Sequence, residues 1–339
     1  MKISNHIATA ILLGALCATA TESNATVIDN DTLRTEAGYF SVDVLTAGQS
    51  RQAWVTAERA ASQDIYTENV LFDYYTFVDV GEPGQGFQLS GSLPRLFVED
   101  TVLSTGSFLG EHGNTVNWEA LSYIEDDETV MTSIFTFASE DGGPLGRIRF
   151  FQYMDEDVES FGDDVFYVKG TMGARNLELF TVDNSELYGV SQSGFFDQAS
   201  GLENATFEGW AADSYNQIKP KIMQTGIQVS PEGVINNLLL FEHPELGPVF
   251  GPRDIVTVMA WSIDRSENSA TIITTLGGEP SYSDVLAPPR IEQPGLRNSY
   301  TCEGRTIDRN LPTIVMTHGL QKDNSSSEEL WTGFNGLRS

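Results

Sequence analysis

The densest group of residues that could do chemistry is a run of carboxylates in the middle of the chain. Between two strand-like stretches, the segment YMDEDVESFGDDVFYVKG (153–170) carries Asp155, Glu156, Asp157, Glu159, Asp163 and Asp164. Oxygen ligands of this kind are those that Ca²⁺ prefers, although the spacing differs from an EF-hand. Carboxylates this close repel one another unless a cation or water separates them. The sequence therefore permits a solvated loop, or a loop that binds Ca²⁺ through Asp155, Asp157, Asp163 and Asp164.

Paired carboxylates can also hydrolyse glycosides, in which two acidic groups stand roughly 5–10 Å apart across a sugar. The chain is so rich in Asp and Glu that such pairs arise without any catalytic purpose. Trp118 and Trp210 would stack on sugar rings if they were exposed, but their positions in strand-like and helix-like stretches favour the core. A sugar-active enzyme and a carbohydrate-binding protein are therefore both alternatives.

Motifs for nucleophilic or metal-dependent chemistry are weaker. The segment GVSQSG (189–194) looks like a nucleophile elbow, but Ser193 stands where the second glycine belongs and no helix signal follows. That pattern predicts the end of a strand. The histidines are far apart in sequence, and none has metal-ligand spacing with another: His6, His112, His243 and His318.

The chain that must position these residues is strongly acidic. It has 48 acidic and 19 basic residues and a formal net charge of −29, which argues against nucleic acid and anionic membranes as partners. Residues 1–25 have the features of a signal peptide: Lys2, an apolar stretch over 7–20, and a small-x-small site ending at Ala25. We therefore expect a secreted protein, extracellular or periplasmic, with no membrane segment in its mature form. It would keep one cysteine, Cys302, and no intrachain disulfide.

Residues 26–279 have the pattern of an all-β domain. Alternating and β-branched stretches recur at regular spacing, for example at 39–45, 69–80, 116–124, 129–139 and 255–263. Turn residues separate them, which predicts a sandwich or barrel. We expect ten to fourteen strands in one large two-sheet antiparallel β-sandwich, similar in size to the super-sandwich domains attached to sugar-processing enzymes. The spacing of Trp210, Tyr215 and Ile218 predicts one short helix or lid-like crossover within 207–226.

A proline-rich linker over 280–310 precedes a different kind of segment at 311–339. PTIVMTHGLQ (312–321) reads as a buried parallel strand and a His-Gly turn. Over residues 311–334 the chain resembles the opening strand and oxyanion loop of the α/β-hydrolase fold, the lipase and esterase family. The resemblance implies that His318, Gly319 and Leu320 belong to the oxyanion loop, with His318 structural.

In that family the nucleophile, acid and base all follow this loop, so the resemblance implies that no triad is complete here. We therefore expect the β-sandwich to be a non-catalytic accessory domain from the N-terminal part of a truncated secreted serine hydrolase, whose parent acts on esters. The alternative is a free-standing secreted binding or surface protein, stabilised by calcium or binding carbohydrate. The sequence leaves the oligomeric state open.

Overall fold

The computed structural model describes residues 25–29, 39–58, 65–98, 101–124, 128–158, 162–170, 177–184, 189–196, 201–244 and 246–279. These all belong to the first of two units of the chain, residues 1–291; the second unit, 292–339, lies outside the described residues. The expected signal peptide (except Ala25), linker and hydrolase-like segment also lie outside them. Those three assignments therefore stay predictions.

Two antiparallel sheets make up the described part. The first sheet contains β1 (Thr26–Asp29), β2 (Tyr39–Val44), β3 (Ser50–Glu58), β4 (Ile65–Asn69), β5 (Leu71–Val80), β6 (Phe87–Gln88), β11 (Ile148–Glu156), β15 (Ala205–Ser214), β16 (Val234–Ile235) and β19 (Ile255–Ile263). The second sheet contains β7 (Arg95–Val98), β8 (Thr101–Leu109), β9 (Thr115–Ile124), β10 (Val130–Ser139), β12 (Val165–Lys169), β13 (Glu178–Val182), β14 (Gly189–Gly194), β17 (Leu240–His243), β18 (Gly247–Phe250) and β20 (Ser269–Glu279).

The strand order puts late strands in the middle of each sheet. The first sheet runs β1-β2-β3-β5-β11-β19-β15-β16, with β4 on β3 and β6 on β5, and the second runs β17-β18-β12-β13-β14-β20-β10-β9-β8-β7. Among the described strands, the one parallel pairing joins β15 to β16 over two residues. The predicted all-β, two-sheet antiparallel sandwich is confirmed. The described residues form twenty strands, more than expected, because several are only two to five residues long.

Alternating side chains from the two inner faces form the core. Trp118 and Trp261 are buried there, and the Phe135 and Phe150 rings meet across the sheets with centroids 4.8 Å apart. Such aromatic contacts add to the free energy gained from burial alone. Trp118 and Trp210 are 1% and 3% exposed, so the expected core role is confirmed and neither ring is available to a sugar.

The helix prediction over 207–226 is correct only in its second half. Residues 205–214 are strand β15, and helical structure is confined to α1 (Ile218–Pro220) and the π-helical turn that continues it (Lys221–Thr225). A β-bulge between Phe207 and Gly209 inserts one residue, so that Phe207 and Trp210 both reach the core although they are three apart. Two residues three apart that face the core are also typical of an amphipathic helix, so the bulge explains the helix prediction for this stretch.

The helical segment covers the outer face of the first sheet. Ile218, Ile222 and Ile227 pack there against an aromatic group from β5 and β11: Tyr75, Phe77, Phe151 and Tyr153. The predicted crossover therefore lies over a sheet face. The helix accommodates Pro220 because this residue lies in the first turn, where a missing backbone N–H removes no helical hydrogen bond. Among the described helices, none is long and apolar enough to cross a membrane.

Candidate functional site

Three neighbouring strands of the first sheet bring carboxylates together at one end of its outer face. Asp155 near the end of β11 is directly opposite Asp73 of β5 and Val256 of β19, and Asp254 directly precedes β19. Opposite residues on neighbouring strands have Cβ atoms about 5 Å apart. We call Asp73, Asp155, Asp157 and Asp254 the acid rim.

A lysine from α1 compensates part of this charge. Lys219 Nζ donates to Asp73 Oδ2 at 2.9 Å and lies 4.6 Å from the ring centre of Tyr75 and 5.1 Å from that of Tyr153. The Tyr153 hydroxyl donates to Asp155 Oδ2 at 3.0 Å. Asp73 therefore has a cationic partner, whereas Asp155 has a neutral phenol.

Burial changes the protonation of the rim. It raises the pKa of Asp155 to about 7; the hydrogen bond from Tyr153 opposes this rise, and the charges of Asp254 and Asp73 reinforce it. Burial, with the nearby charge of Asp157, raises the pKa of Asp254 to about 6. The rim therefore holds carboxyl groups that exchange protons close to neutral pH, a property that is common at functional sites.

Two exposed aromatic residues flank the acid rim. Phe72 precedes Asp73 and is the extra residue of a β-bulge in β5, where the alternation of faces is broken. Phe72 is 51% exposed, and Tyr215, which follows β15, is 43% exposed. The Tyr215 amide donates to the Asp254 carbonyl at 3.1 Å, which places Tyr215 beside the rim. Since β5 and β15 are three strands apart in the sheet, their backbones are separated by about 14 Å.

A small cavity lies beside the rim, between the helical segment and β15. Its volume is about 270 Å³, and its lining includes Asp213, Lys221, Ile227 and Asn236. The Asp213 carboxylate is already satisfied, because Lys221 Nζ and Asn237 Nδ2 each donate to it at 2.7 Å. This group holds the helical segment to the sheet.

The predicted calcium ligands do not all belong to one loop. Asp155 and Glu156 lie within β11, and alternation sends them to opposite faces of the sheet. Asp164 directly precedes β12 and is fully buried, whereas Asp157 and Asp163 are half-buried. Among the described residues, no group of three or more His, Cys, Asp or Glu side chains is placed to hold a metal ion. Calcium binding by Asp155, Asp157, Asp163 and Asp164 stays a prediction.

Sequence reasoning did not identify the other members of the acid rim or its flanking residues. Asp73, Asp254, Lys219 and the two exposed aromatics come from segments far apart in the chain, and only the pairing of strands joins them. The acid-aromatic stretch FDYY (72–75) was a local signal that could have been noticed. Glu159, His318, Gly319 and Leu320 lie outside the described residues.

The elbow-like segment GVSQSG is strand β14, and its interpretation as strand is confirmed. Ser191 and Ser193 are 1% and 2% exposed, and the Ser191 hydroxyl donates to Glu178 Oε1 at 2.9 Å. A serine held in mid-strand and buried in this way is not presented to a substrate as an elbow serine is.

Comparisons with known proteins give no family for the chain. No protein-family model matches it, and no curated protein matches it. Similar solved structures include a heparinase III gene product with methylated lysines, at 9% identity and a TM-score of 0.37, and a 4-alpha-glucanotransferase from Thermococcus litoralis, at 9% identity and a TM-score of 0.31. These matches cover 77% and 76% of this chain, which spans 35% and 39% of those proteins. Similarity at this level assigns no function.

Proposed function

We propose that the β-sandwich is a non-catalytic carbohydrate-binding domain of a secreted protein, and that the acid rim with its two flanking aromatics is its ligand site. The observation that carries the proposal is the exposure of Phe72 and Tyr215 on either side of the rim carboxylates. Aromatic faces stack on the apolar faces of sugar rings, and the half-buried Asp157 and Asp254 would accept hydrogen bonds from sugar hydroxyls. Asp73 and Asp155 are buried, 8% and 3% exposed, and would support the site from below. Few polar groups on an aromatic surface suit this kind of recognition.

The charge of the site selects among carbohydrates. The four carboxylates of the acid rim stand beside two cations. Lys219 is already paired with Asp73, and Arg51 donates to the Tyr75 hydroxyl at 2.9 Å, close enough for its charge to interact with Asp73. The chain as a whole has a net charge of −29. Uronates and sulfated sugars would be repelled at this surface. The ligand class is therefore a neutral polysaccharide.

Affinity electrophoresis in gels containing a soluble polysaccharide tests this proposal. We expect neutral glucans, mannans or xylans to retard the protein, and alginate or heparin to leave its mobility unchanged. Replacing Phe72 and Tyr215 together by alanine should remove most of the retardation, since stacking on each ring contributes about 1 kcal/mol or more. Phe97→Ala is the matched control, because Phe97 is 61% exposed on β7 of the other sheet.

Two results would contradict the proposal. One is that none of the neutral polysaccharides retards the protein. The other is that Phe97→Ala weakens retardation as much as the double variant, since retardation would then arise from general surface contacts.

We further propose that the domain accompanies a serine hydrolase acting on esters. The support is the resemblance at residues 311–334 alone. The sandwich itself should hydrolyse no ester, because acyl transfer needs an activated and accessible nucleophile. Purified chain should not cleave a short-chain nitrophenyl ester above background. Turnover that phenylmethylsulfonyl fluoride abolishes would place a reactive serine in this chain, with Ser191 and Ser193 the first to examine.

A further inference from the structure

The interior of the sandwich contains a second acidic group, close to the acid rim but on the opposite face of the first sheet. Glu156 follows Asp155 in β11 and is 1% exposed, and Asp164 is fully buried. Asp164 is two residues before Phe166, whose ring meets Trp210 of the other sheet at 5.8 Å, so alternation directs Asp164 inward as well. Two carboxyl groups therefore face the space between the sheets.

A chain of hydrogen bonds crosses the two sheets here and fixes Glu156. Gln192 Nε2 donates to Thr257 Oγ1 at 2.6 Å, and Thr257 Oγ1 donates to Glu156 Oε1 at 2.9 Å. Because Thr257 has one proton and gives it to Glu156, the Oε1 atom acts as an acceptor. The other oxygen, Oε2, has no partner in the part of the chain that the structure describes.

Among the described residues, Asp164 has fewer hydrogen-bond partners than Glu156. Both of its carboxylate oxygens are buried without a hydrogen-bond partner among the described residues, and so is Thr181 Oγ1. Thr181 is opposite Phe166 in the β12–β13 ladder, which makes it the diagonal inner-face neighbour of Asp164, at about 7–8 Å. Its hydroxyl is also near enough to Glu156 to lower the pKa of that carboxyl slightly. Thr181 therefore lies between the two acids.

Buried acceptors without donors are costly, and two buried negative charges without a counterion cost far more. Water could donate to these oxygens but could not offset the charge. Protonating Asp164 would let it donate to Thr181 Oγ1 or Glu156 Oε2, but it would leave the charge of Glu156 without a counterion. A cation would satisfy the lone pairs and the charge together.

We propose that Glu156, Asp164 and Thr181 bind a calcium ion between the two sheets. Two carboxylates and a hydroxyl are hard oxygen ligands, and water or main-chain carbonyls would complete the six to eight positions that Ca²⁺ takes. Without the ion, burial raises the pKa of Asp164 to about 9 and that of Glu156 well above its usual value. The site shares only Asp164 with the ligand set that the sequence suggested.

Equilibrium dialysis of chelator-treated protein against radioactive Ca²⁺ tests the site. We expect one ion per chain, and a rise in Tm on the order of 5 °C when Ca²⁺ greatly exceeds its Kd. Glu156→Gln and Asp164→Asn should lose the ion and the rise in Tm. Asp155→Asn, which changes the neighbouring residue on the outer face, should keep both.

Several results would overturn the proposal. The wild-type protein binding no Ca²⁺, with an unchanged Tm, would show that the pair holds a proton or water. Loss of the ion in Asp155→Asn but not in Glu156→Gln would place the ion on the outer face. If Glu156→Gln does not fold, as circular dichroism would show, Thr181→Val provides the test, and undiminished affinity in that variant would contradict the assigned ligands.

Discussion

Asp155 and Glu156 are neighbours in sequence, but the sandwich gives them opposite surroundings. Asp155 reaches the outer face, where a phenol donates to it and Lys219 lies nearby. Glu156 reaches the interior, where the Thr257 hydroxyl donates to Oε1 and no described residue pairs with Oε2. A single residue of offset in a strand therefore separates a carboxylate that a phenol and a nearby lysine stabilise from one that we propose needs an internal counterion.

The largest expected effect concerns the outer carboxylate. The pKa of Asp155 is about 7 in the folded protein and about 4 in an unfolded chain. The folded state therefore binds more protons between these values, and stability falls as the pH rises from about 4 to 7. This fall amounts to up to about 4 kcal/mol in the free energy of unfolding, and Asp155→Asn should abolish it. Urea unfolding of both proteins at pH 4.5 and pH 7.5 measures it, and identical pH profiles would show that Asp155 titrates normally.

The next effect concerns the interior carboxylate. Thr257→Val keeps the shape of the side chain and removes the donor to Glu156 Oε1, so the free energy of unfolding should fall by about 1–3 kcal/mol. Thr56→Val is the control, because the Thr56 hydroxyl meets only that of Thr67 at an exposed position. Chemical denaturation in chelator compares them. Equal losses in both variants would mean that the chain of bonds to Glu156 adds nothing.

A smaller effect is expected at the lysine that joins the acid rim to the helical segment. Lys219→Met keeps the apolar part of the side chain over Tyr75 and Tyr153 but removes the charge beside Asp73. Because the Lys219 side chain is 32% exposed, the loss of stability should be about 1 kcal/mol. The loss should shrink in 1 M salt, which screens exposed pairs. A salt-independent loss would assign the effect to packing instead.

The smallest effect is expected at the exposed aromatic residue. Phe72→Ala should change the free energy of unfolding by less than about 0.5 kcal/mol, because Phe72 is 51% exposed and surface substitutions rarely cost more. The same substitution should weaken polysaccharide retardation. A loss of 2 kcal/mol or more would show that Phe72 is structural, and the binding site would lose one of its two aromatic residues.

Most of the fold was predictable because its strands alternate clearly. The stretch IVTVMAWSI was expected at 255–263 and is β19 with those bounds, and 116–124 is one residue shorter than β9. β15 was misjudged because its bulge breaks the two-residue period. β17 and β18 were missed because each has only four residues, too few to show a period.

The candidate sites were less predictable than the fold. The acidic run identified Asp155, Glu156 and Asp164 as unusual, but not that β11 continues to Glu156 and divides the run between two faces. The partners Asp73, Lys219 and Thr257 depend on strand pairing and sheet stacking. No local pattern in the sequence encodes which distant strands become neighbours.

The position of the last two strands has a consequence for how the chain folds. β19 lies between β11 and β15, and β20 lies between β14 and β10. The central strand pairs of each sheet therefore cannot form before residues 255–279 are present. Pairings this distant in sequence form slowly, because the chain loses the entropy of closing a long loop before the new contacts stabilise it. While the chain is being synthesised, neither sheet can close until nearly the whole domain has emerged. A chain that stays open this long would suit the export predicted from residues 1–25, because it could thread through a channel before it folds.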